Sequence, residues 1–292
     1  MKKEKLSVDK IMRARPFLKW AGGKTQLLPE LLAQIPATWK PELDLYAEPF
    51  VGAGALYFAL APRNARLGDA NPELVACWKA LQSDAPRVVA RLADLEKQYR
   101  ERPEMFYYGM RDVTCNEFDL HEKAARLIFL NKTCFNGLYR VNRKGKFNVP
   151  WGANPNVTIC DASNLLRCGE LLSLGDTQVK CTDFARSGPF PRGTLVYLDP
   201  PYLPRSRSAN FTAFTPQKFH LDDHARLAKY AGRLADEGCH VLVSESDDAA
   251  VADLFRDAGF ECTVLPARRK INSQGYSRGP VSEHIFFRNR GH

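Results

Sequence analysis

The sequence predicts an α/β protein: one sheet domain interrupted by an inserted lobe of helices and a β-hairpin. Three observations carry that prediction. Short apolar runs alternate with helical patterns toward both ends of the chain. The stretch from Pro72 to Phe129 is instead largely helical, and the segment from Asn131 to Pro150 is polar, basic and punctuated by glycine. The chain has 292 residues, 45% of them hydrophobic, which suffices for a sizeable core.

The elements follow in order. Residues 1–14 are basic and lack apolar periodicity, which predicts a mobile tail. Leu27, Leu28, Leu31, Leu32 and Ile35 fall at helical spacing, and Pro36 stops that helix. A strand through Leu43 to Ala47 runs into Pro49-Phe50-Val51-Gly52-Ala53-Gly54, a helix starts around Ala55, and a second strand ends at Leu67-Gly68-Asp69. The helical stretch breaks at Pro86 and Pro103. Arg143-Lys144-Gly145-Lys146 reads as a hairpin tip between Leu138–Val141 and Phe147–Val149. The α/β rhythm returns near Val157, with strands at Val179–Thr182, Leu195–Leu198, Val241–Ser244, Glu261–Leu265 and His284–Phe287, and helices at Leu221–Asp236 and Ala249–Ala258. Residues 15–70 and 157–292 are thus read as one discontinuous domain. Residues 71–156 form the insert, with its hairpin at about 131–150.

The chemistry concentrates at Asp199-Pro200-Pro201-Tyr202, which follows the apolar run Leu195–Leu198. Open α/β sheets bind ligands at the carboxyl ends of their strands. The prolines fix φ and remove backbone donors, leaving a carbonyl free to accept. A carboxylate, a carbonyl and an aromatic face suit a planar base that bears an amino group. Phe50-x-Gly52-x-Gly54 lets the backbone approach a ligand, and Asp69 at the next strand end suits ribose hydroxyls. The third glycine of the dinucleotide fingerprint is missing, so an adenosine without a pyrophosphate fits, and S-adenosylmethionine is the common ligand of that kind. Gly23-Lys24-Thr25 mimics the end of a P-loop. Leu18 stands where that loop needs glycine and no strand leads in, which argues against an NTPase. Lys24 can still bind an anion such as a methionine carboxylate, and Trp20 either faces the ligand or belongs to the core.

The net charge is +9, concentrated in the N-terminal segment, Arg140–Lys146 and Arg268-Arg269-Lys270. A basic surface can simply be solubilising, but this clustering points to a polyanionic partner, nucleic acid first. The eight cysteines form no C-x-x-C pair, no signal peptide precedes them, and no apolar run is long enough to span a membrane. The expectation is a cytoplasmic protein with reduced thiols, no metal and no membrane partner. His220 and His224 lie four apart, and are read as a solvated helix face rather than a metal pair.

These motifs, in this order, resemble the Dam-type (D12 class, alpha group) DNA adenine-N6 methyltransferases. The resemblance rests on Phe17-Leu18-Lys19-Trp20-Ala21-Gly22-Gly23-Lys24, on Glu48-Pro49-Phe50-Val51-Gly52-Ala53-Gly54 and on Asp199-Pro200-Pro201-Tyr202. It rests further on Leu130 to Asn142 with Phe147-Asn148-Val149-Pro150, on Ala209-Asn210-Phe211-Thr212, and on Arg268-Arg269 with Ile271-Asn272-Ser273. It implies a mostly parallel seven-stranded Rossmann-like sheet with one reversed strand near the C-terminus, and a target-recognition lobe inserted before the catalytic motif. It implies S-adenosylmethionine contacts at Trp20, Lys24, Asp69 and Asp199, with Asp183 and Phe184 flanking the cofactor's adenine. The partner it implies is double-stranded DNA, modified mostly at the adenine of GATC. By the same resemblance Arg140 reads guanine and Lys19 a flanking guanine. Leu138 and Pro150 touch a thymine methyl, and Phe135 and Asn136 fill the stack left by a flipped base. Arg143, Lys144 and Lys146 contact phosphates. Ala153-Asn154 departs from the larger residues some relatives carry there. Host (bacterial and nucleoid-associated, or phage-encoded), a companion restriction nuclease and a role in replication or mismatch repair stay open, and a monomer is the default. Two competing readings are an RNA or protein-amide N-methyltransferase, which would not need the hairpin and would usually carry Asn at position 199, and an inactive DNA-binding module, which would be expected to lose Asp199, Tyr202 or the glycine turn.

Overall fold

Seven strands pair into one sheet, whose central members place branched and aromatic side chains on both faces, as a sheet covered on both sides requires. In the computed structural model, which describes residues 14–115, 117–142, 144–203, 219–267 and 281–289, these are β1 (Leu45–Glu48), β2 (Asn64–Asp69), β3 (Thr177–Cys181), β4 (Leu195–Leu198), β5 (His240–Ser246), β6 (Glu261–Ala267) and β7 (Val281–Arg288). The order is β3-β2-β1-β4-β5-β7-β6. β1 to β5 pair in parallel, and β7 runs antiparallel between β5 and β6. The reversed strand near the C-terminus is as the resemblance implied.

Alternation along the strands builds two cores. Tyr46, Leu195, Tyr197, Leu242 and Ile285 face one side with α1 (Leu28–Ala33), α2 (Ala55–Leu60) and the insert, while Ala47, Val196, Leu198, Val241, Val243 and Phe286 face the other. The second face is covered by α7 (Leu221–Asp236) and α8 (Ala249–Asp257). The insert consists of α3 (Pro72–Glu101), α4 (Pro103–Asp112) and α5 (Leu120–Thr133), after which α6 (Ala162–Ser173) returns the chain to β3. Trp78, Leu127 and Phe129 belong to the same buried cluster as Phe17, Phe58 and Leu67, so sheet and insert share a core on that side.

The break expected at Pro86 falls two residues earlier. Asp84 leaves the helical region (φ −160°, ψ 76°) and its Oδ1 accepts from the Arg87 amide at 3.0 Å, capping the helix that Pro86 opens. α5 starts at a capping box between Asp119 and Glu122. It runs through Asn131–Thr133, which the sequence reading had placed in the hairpin segment. The hairpin itself is short: an isolated bridge joins Val141 and Phe147, and the Asn142 Oδ1 accepts from the Lys144 and Lys146 amides to form the tip. Ala14, assigned to the tail, is buried in the core, so the packed body begins there. Residues 1–13, Arg143, Ala209–Thr212 and Arg268–Ser273 lie outside the described residues. Among the described residues no helix is long and apolar enough to cross a membrane, and no cluster of metal-ligating side chains occurs. All eight cysteines are free.

Candidate active site

The chain order of the sheet reverses between β1 and β4, and at such a switch point a crevice opens beyond the strand ends. The glycine turn leaves β1 there, and Asp199 leaves β4. Gly52 (φ 47°) and Gly54 (φ 68°) both adopt left-handed backbone, which glycine takes without strain. A Cβ on Gly54 would lie 2.5 Å from the Trp78 ring, and one on Gly52 would lie 3.1 Å from Trp20 Cδ1. The Trp78 indole in turn donates to the Gly52 carbonyl at 3.0 Å. Asp69, at the end of β2, accepts from the amides of Gly52 (3.2 Å) and Asn71 (2.8 Å). Burial pushes its carboxyl up to about 6 against those hydrogen bonds.

Lys24 reaches the same place from the N-terminal loop. Its side chain is only 4% exposed, and Nζ lies 2.8 Å from Asp199 Oδ1 and 2.7 Å from the Gly22 carbonyl. The same ammonium sits 4.8 Å from the centroid of the Tyr202 ring. Burial raises the Asp199 carboxyl, Lys24 opposes that rise and Glu283 adds to it, so that it titrates at about 6. The Tyr202 hydroxyl donates to Glu283 Oε2 at 2.5 Å, and burial with the charges of Asp199 and Glu283 pushes that phenol well above its ordinary range. Glu48, buried at the end of β1, accepts from the Tyr46 hydroxyl at 2.7 Å, and burial lifts its carboxyl well above the carboxylate range.

Beside this cluster the Phe50 and Phe184 rings stack at 5.3 Å. Asp183 pairs with Arg226 through two contacts of 2.8 and 3.0 Å. Burial alone would raise the Asp183 carboxyl, but Arg226 and the Ala185 amide hold it below the usual range. The Arg226 guanidinium lies 4.3 Å from the centre of the Phe184 ring. Trp20 is half-buried, with its ring 5.1 Å from that of Tyr139.

The residues expected to meet DNA lie in the hairpin segment and at its base. Lys19 is tied to it: its amide donates to Asn131 Oδ1 (2.8 Å), and Asn131 Nδ2 donates to the carbonyls of Lys19 and Gly137. A Cβ on Gly137 (φ 65°) would lie 2.5 Å from the Lys19 side chain, which therefore rests on that glycine. Phe135 is 43% exposed although large and apolar, and Asn136 is exposed with φ at 55°. The Phe135 amide donates to the Pro150 carbonyl, closing the base of the hairpin. Leu138 is half-buried, Pro150, Lys144 and Lys146 are exposed, and Arg140 is held across the hairpin by Asn148, Nε donating to Oδ1 at 2.7 Å.

Sequence reasoning missed Glu283, Glu48, Asn148 and Arg226. It misread His224, which is wholly buried rather than solvated, with Nδ1 2.7 Å from Glu245 Oε1. His220 is the cap residue before α7 and is exposed, so only His224 is carried into the core. Burial pushes the Glu245 carboxyl up to about 7 even with His224 beside it.

A sheet of this order, with a glycine turn after β1 and an acid and tyrosine after β4, defines a Rossmann-like methyltransferase. Residues 20–271 match the model of the D12 class N6 adenine-specific DNA methyltransferases, and the chain belongs to that family. It is 37% identical to the type II methyltransferase M.MjaIII of Methanocaldococcus jannaschii over 91% of this chain and 96% of that one. It is 32% identical to the DNA adenine methylase of Vibrio cholerae over 93% and 95% of the two chains. Against the DNA adenine methylase of Escherichia coli the identity is 31%, over 92% and 93%.

Proposed function

We propose that this enzyme moves a methyl group from S-adenosylmethionine to N6 of an adenine turned out of double-stranded DNA, within the sequence GATC. The observation that carries the reading is the meeting of Lys24, Asp199 and Tyr202 at the carboxyl end of β4, next to the glycine turn of β1. The donor set there suits the cofactor: Lys24 for its carboxylate, Asp69 for its ribose hydroxyls, Trp20 for the ligand's face or its sulfonium, Asp183 and Phe184 (with Phe50 stacked on it) beside its base, and the bare backbone of Gly52 and Gly54 where a Cβ would intrude on Trp20 or Trp78. Bound there, S-adenosylmethionine supplies an electrophilic methyl group on a sulfonium.

The protein's own part is to present N6. A paired adenine has its N6 inside the duplex, so the base must leave the stack at a cost of a few kcal/mol. Stacking on Tyr202 returns roughly 1–3 kcal/mol. The exposure of Phe135 at the hairpin base supports its filling the gap. The N6 lone pair is delocalised into the purine. Asp199 and the Pro200 carbonyl accept its two hydrogens and favour a pyramidal, nucleophilic nitrogen. An ionised Asp199 would stabilise the positive charge that N6 gains as the methyl carbon leaves sulfur for it, with S-adenosylhomocysteine as the neutral leaving group, and would take the departing proton. With a pKa near 6, Asp199 is mainly ionised at neutral pH and still basic enough for that role. Holding the reactants in line supplies the rest.

GATC specificity is supported by the hairpin residues Arg140, Leu138 and Pro150 and by Lys19 at its base, a bidentate Arg–guanine contact being worth about 1–3 kcal/mol. The test is methylation of a plasmid with labelled donor, followed by digestion with a nuclease that cuts only unmethylated GATC. Protection with N6-methyladenine in the digest is expected. Full cleavage with label in adenine elsewhere overturns the site, and no label in adenine overturns the reaction.

A further inference from the structure

We propose that Glu283 is a positioning residue for base capture: its carboxylate holds the Tyr202 hydroxyl so that the ring stands as a fixed plate for the everted adenine. The inference rests on the reaction proposed above. Glu283 and Tyr202 are 81 positions apart in sequence, yet Oε2 accepts from the phenol at 2.5 Å. Tyr202 lies beyond the end of β4 after two prolines, so its backbone sits outside the ladder of the sheet. A stacking platform needs its ring plane fixed before the base arrives, because ordering a side chain during the reaction costs entropy. Glu283 can fix it because its own position is fixed. It lies within β7, paired to Ser246 of β5 on one side and to Leu265 of β6 on the other, and is only 7% exposed. The contact is made at the hydroxyl, away from the ring faces, over one of which Lys24 Nζ lies 4.8 Å from the centroid. The reversal of β7 matters here: a carboxylate near the start of an antiparallel strand arrives at the carboxyl ends of β4 and β5, where the chemistry is. A hydrogen bond to a buried carboxylate is also stronger than one between neutral groups.

The test compares Glu283→Ala, Glu283→Gln, Tyr202→Phe and the double variant Glu283→Ala/Tyr202→Phe. The readouts are kcat, KM for DNA, donor affinity by calorimetry, and the fluorescence of a duplex carrying 2-aminopurine at the target position. Glu283→Ala and Tyr202→Phe remove one hydrogen bond from its two ends, so each should lower kcat about tenfold. The double variant should be no worse than either, with donor affinity unchanged within about twofold. Both single variants should alter the 2-aminopurine emission of the bound duplex in the same way, and Glu283→Gln, which keeps an acceptor, should restore most of kcat and the emission. Wild-type kcat in Tyr202→Phe, or losses that multiply in the double variant, would overturn the inference; Tyr202→Phe keeps this decisive if Glu283→Ala fails to fold. Wild-type protein that leaves 2-aminopurine emission unchanged on binding refutes base eversion itself, a different failure.

Discussion

Replacing Lys24 by Met should raise the pKa of Asp199 by roughly 1–3 units. The two charged atoms are 2.8 Å apart, and the lysine is almost fully buried. At an effective dielectric of about 20 that separation gives a Coulomb term near 6 kcal/mol, or about four pKa units, as a ceiling. Relaxation and water entry after the substitution reduce it to the range above. Glu283 remains as a neighbouring negative charge and pushes in the same direction. The sign is fixed: the cation favours the ionised acid, so its removal moves the midpoint up from about 6. At pH 7 the carboxylate fraction should fall from about nine-tenths to a half or less, by the logarithmic relation between pKa and charge. The assay is carbon-13 carboxyl NMR of the free protein between pH 4 and 10, with the Asp199 signal identified through Asp199→Asn. Working without ligands keeps the measurement independent of donor binding. A midpoint that stays at 6 or falls would show that Lys24 does not govern Asp199.

Three further outcomes follow from other contacts. Gly54→Ala should destabilise the protein by about 2–4 kcal/mol in urea unfolding, combining the strain of left-handed backbone with overpacking against Trp78; wild-type stability would mean that Trp78 yields freely. Asp69, raised to about 6 by burial, binds its proton more tightly folded than unfolded. Its contribution is therefore present below the unfolded carboxyl pKa of about 4 and lost as pH rises through 6. Asp69→Asn should flatten that part of the stability–pH curve, and an unchanged slope between pH 4 and 6 would refute the assignment. Arg140→Ala should cut discrimination against altered guanine positions by roughly 1–3 kcal/mol, whereas Lys144→Ala should weaken all sequences alike and lower the salt slope; equal losses on specific and random duplexes would sink the distinction.

Much of this architecture is legible in the sequence because its strands are covered on both faces. Leu195–Leu198 and Leu221–Asp236 were predicted to the residue, the first as an unbroken apolar run ahead of an acid and prolines, the second as a regular amphipathic helix. The site's local motifs were legible too, since Gly52, Gly54, Asp69, Lys24 and Asp199 each sit in short stretches with a stated backbone or charge requirement. What stayed hidden depends on pairing between distant segments. Glu283 stands just before His284–Phe287, the part of β7 apolar enough to be recognised as a strand, and only its register against Ser246 carries it to Tyr202. His224 looked solvated because its partner, Glu245, lies on another element 21 positions away. Asn131 belonged to a recognised block, but its role in joining Lys19 to Gly137 is visible only once α5 is seen to continue through it. Arg140 was expected to point toward a base. In the structure it is instead tied to Asn148, and the proposed readout requires guanine to displace that contact.

The most direct test is the structure of the protein with a GATC duplex and sinefungin, which resembles the methyl donor but carries no transferable methyl. The account predicts the target adenine outside the helix, flat against Tyr202, with N6 within hydrogen-bonding distance of the Asp199 carboxylate and the Pro200 carbonyl. An adenine still paired with thymine, while the protein is seated on its site and the donor pocket is filled, would contradict it.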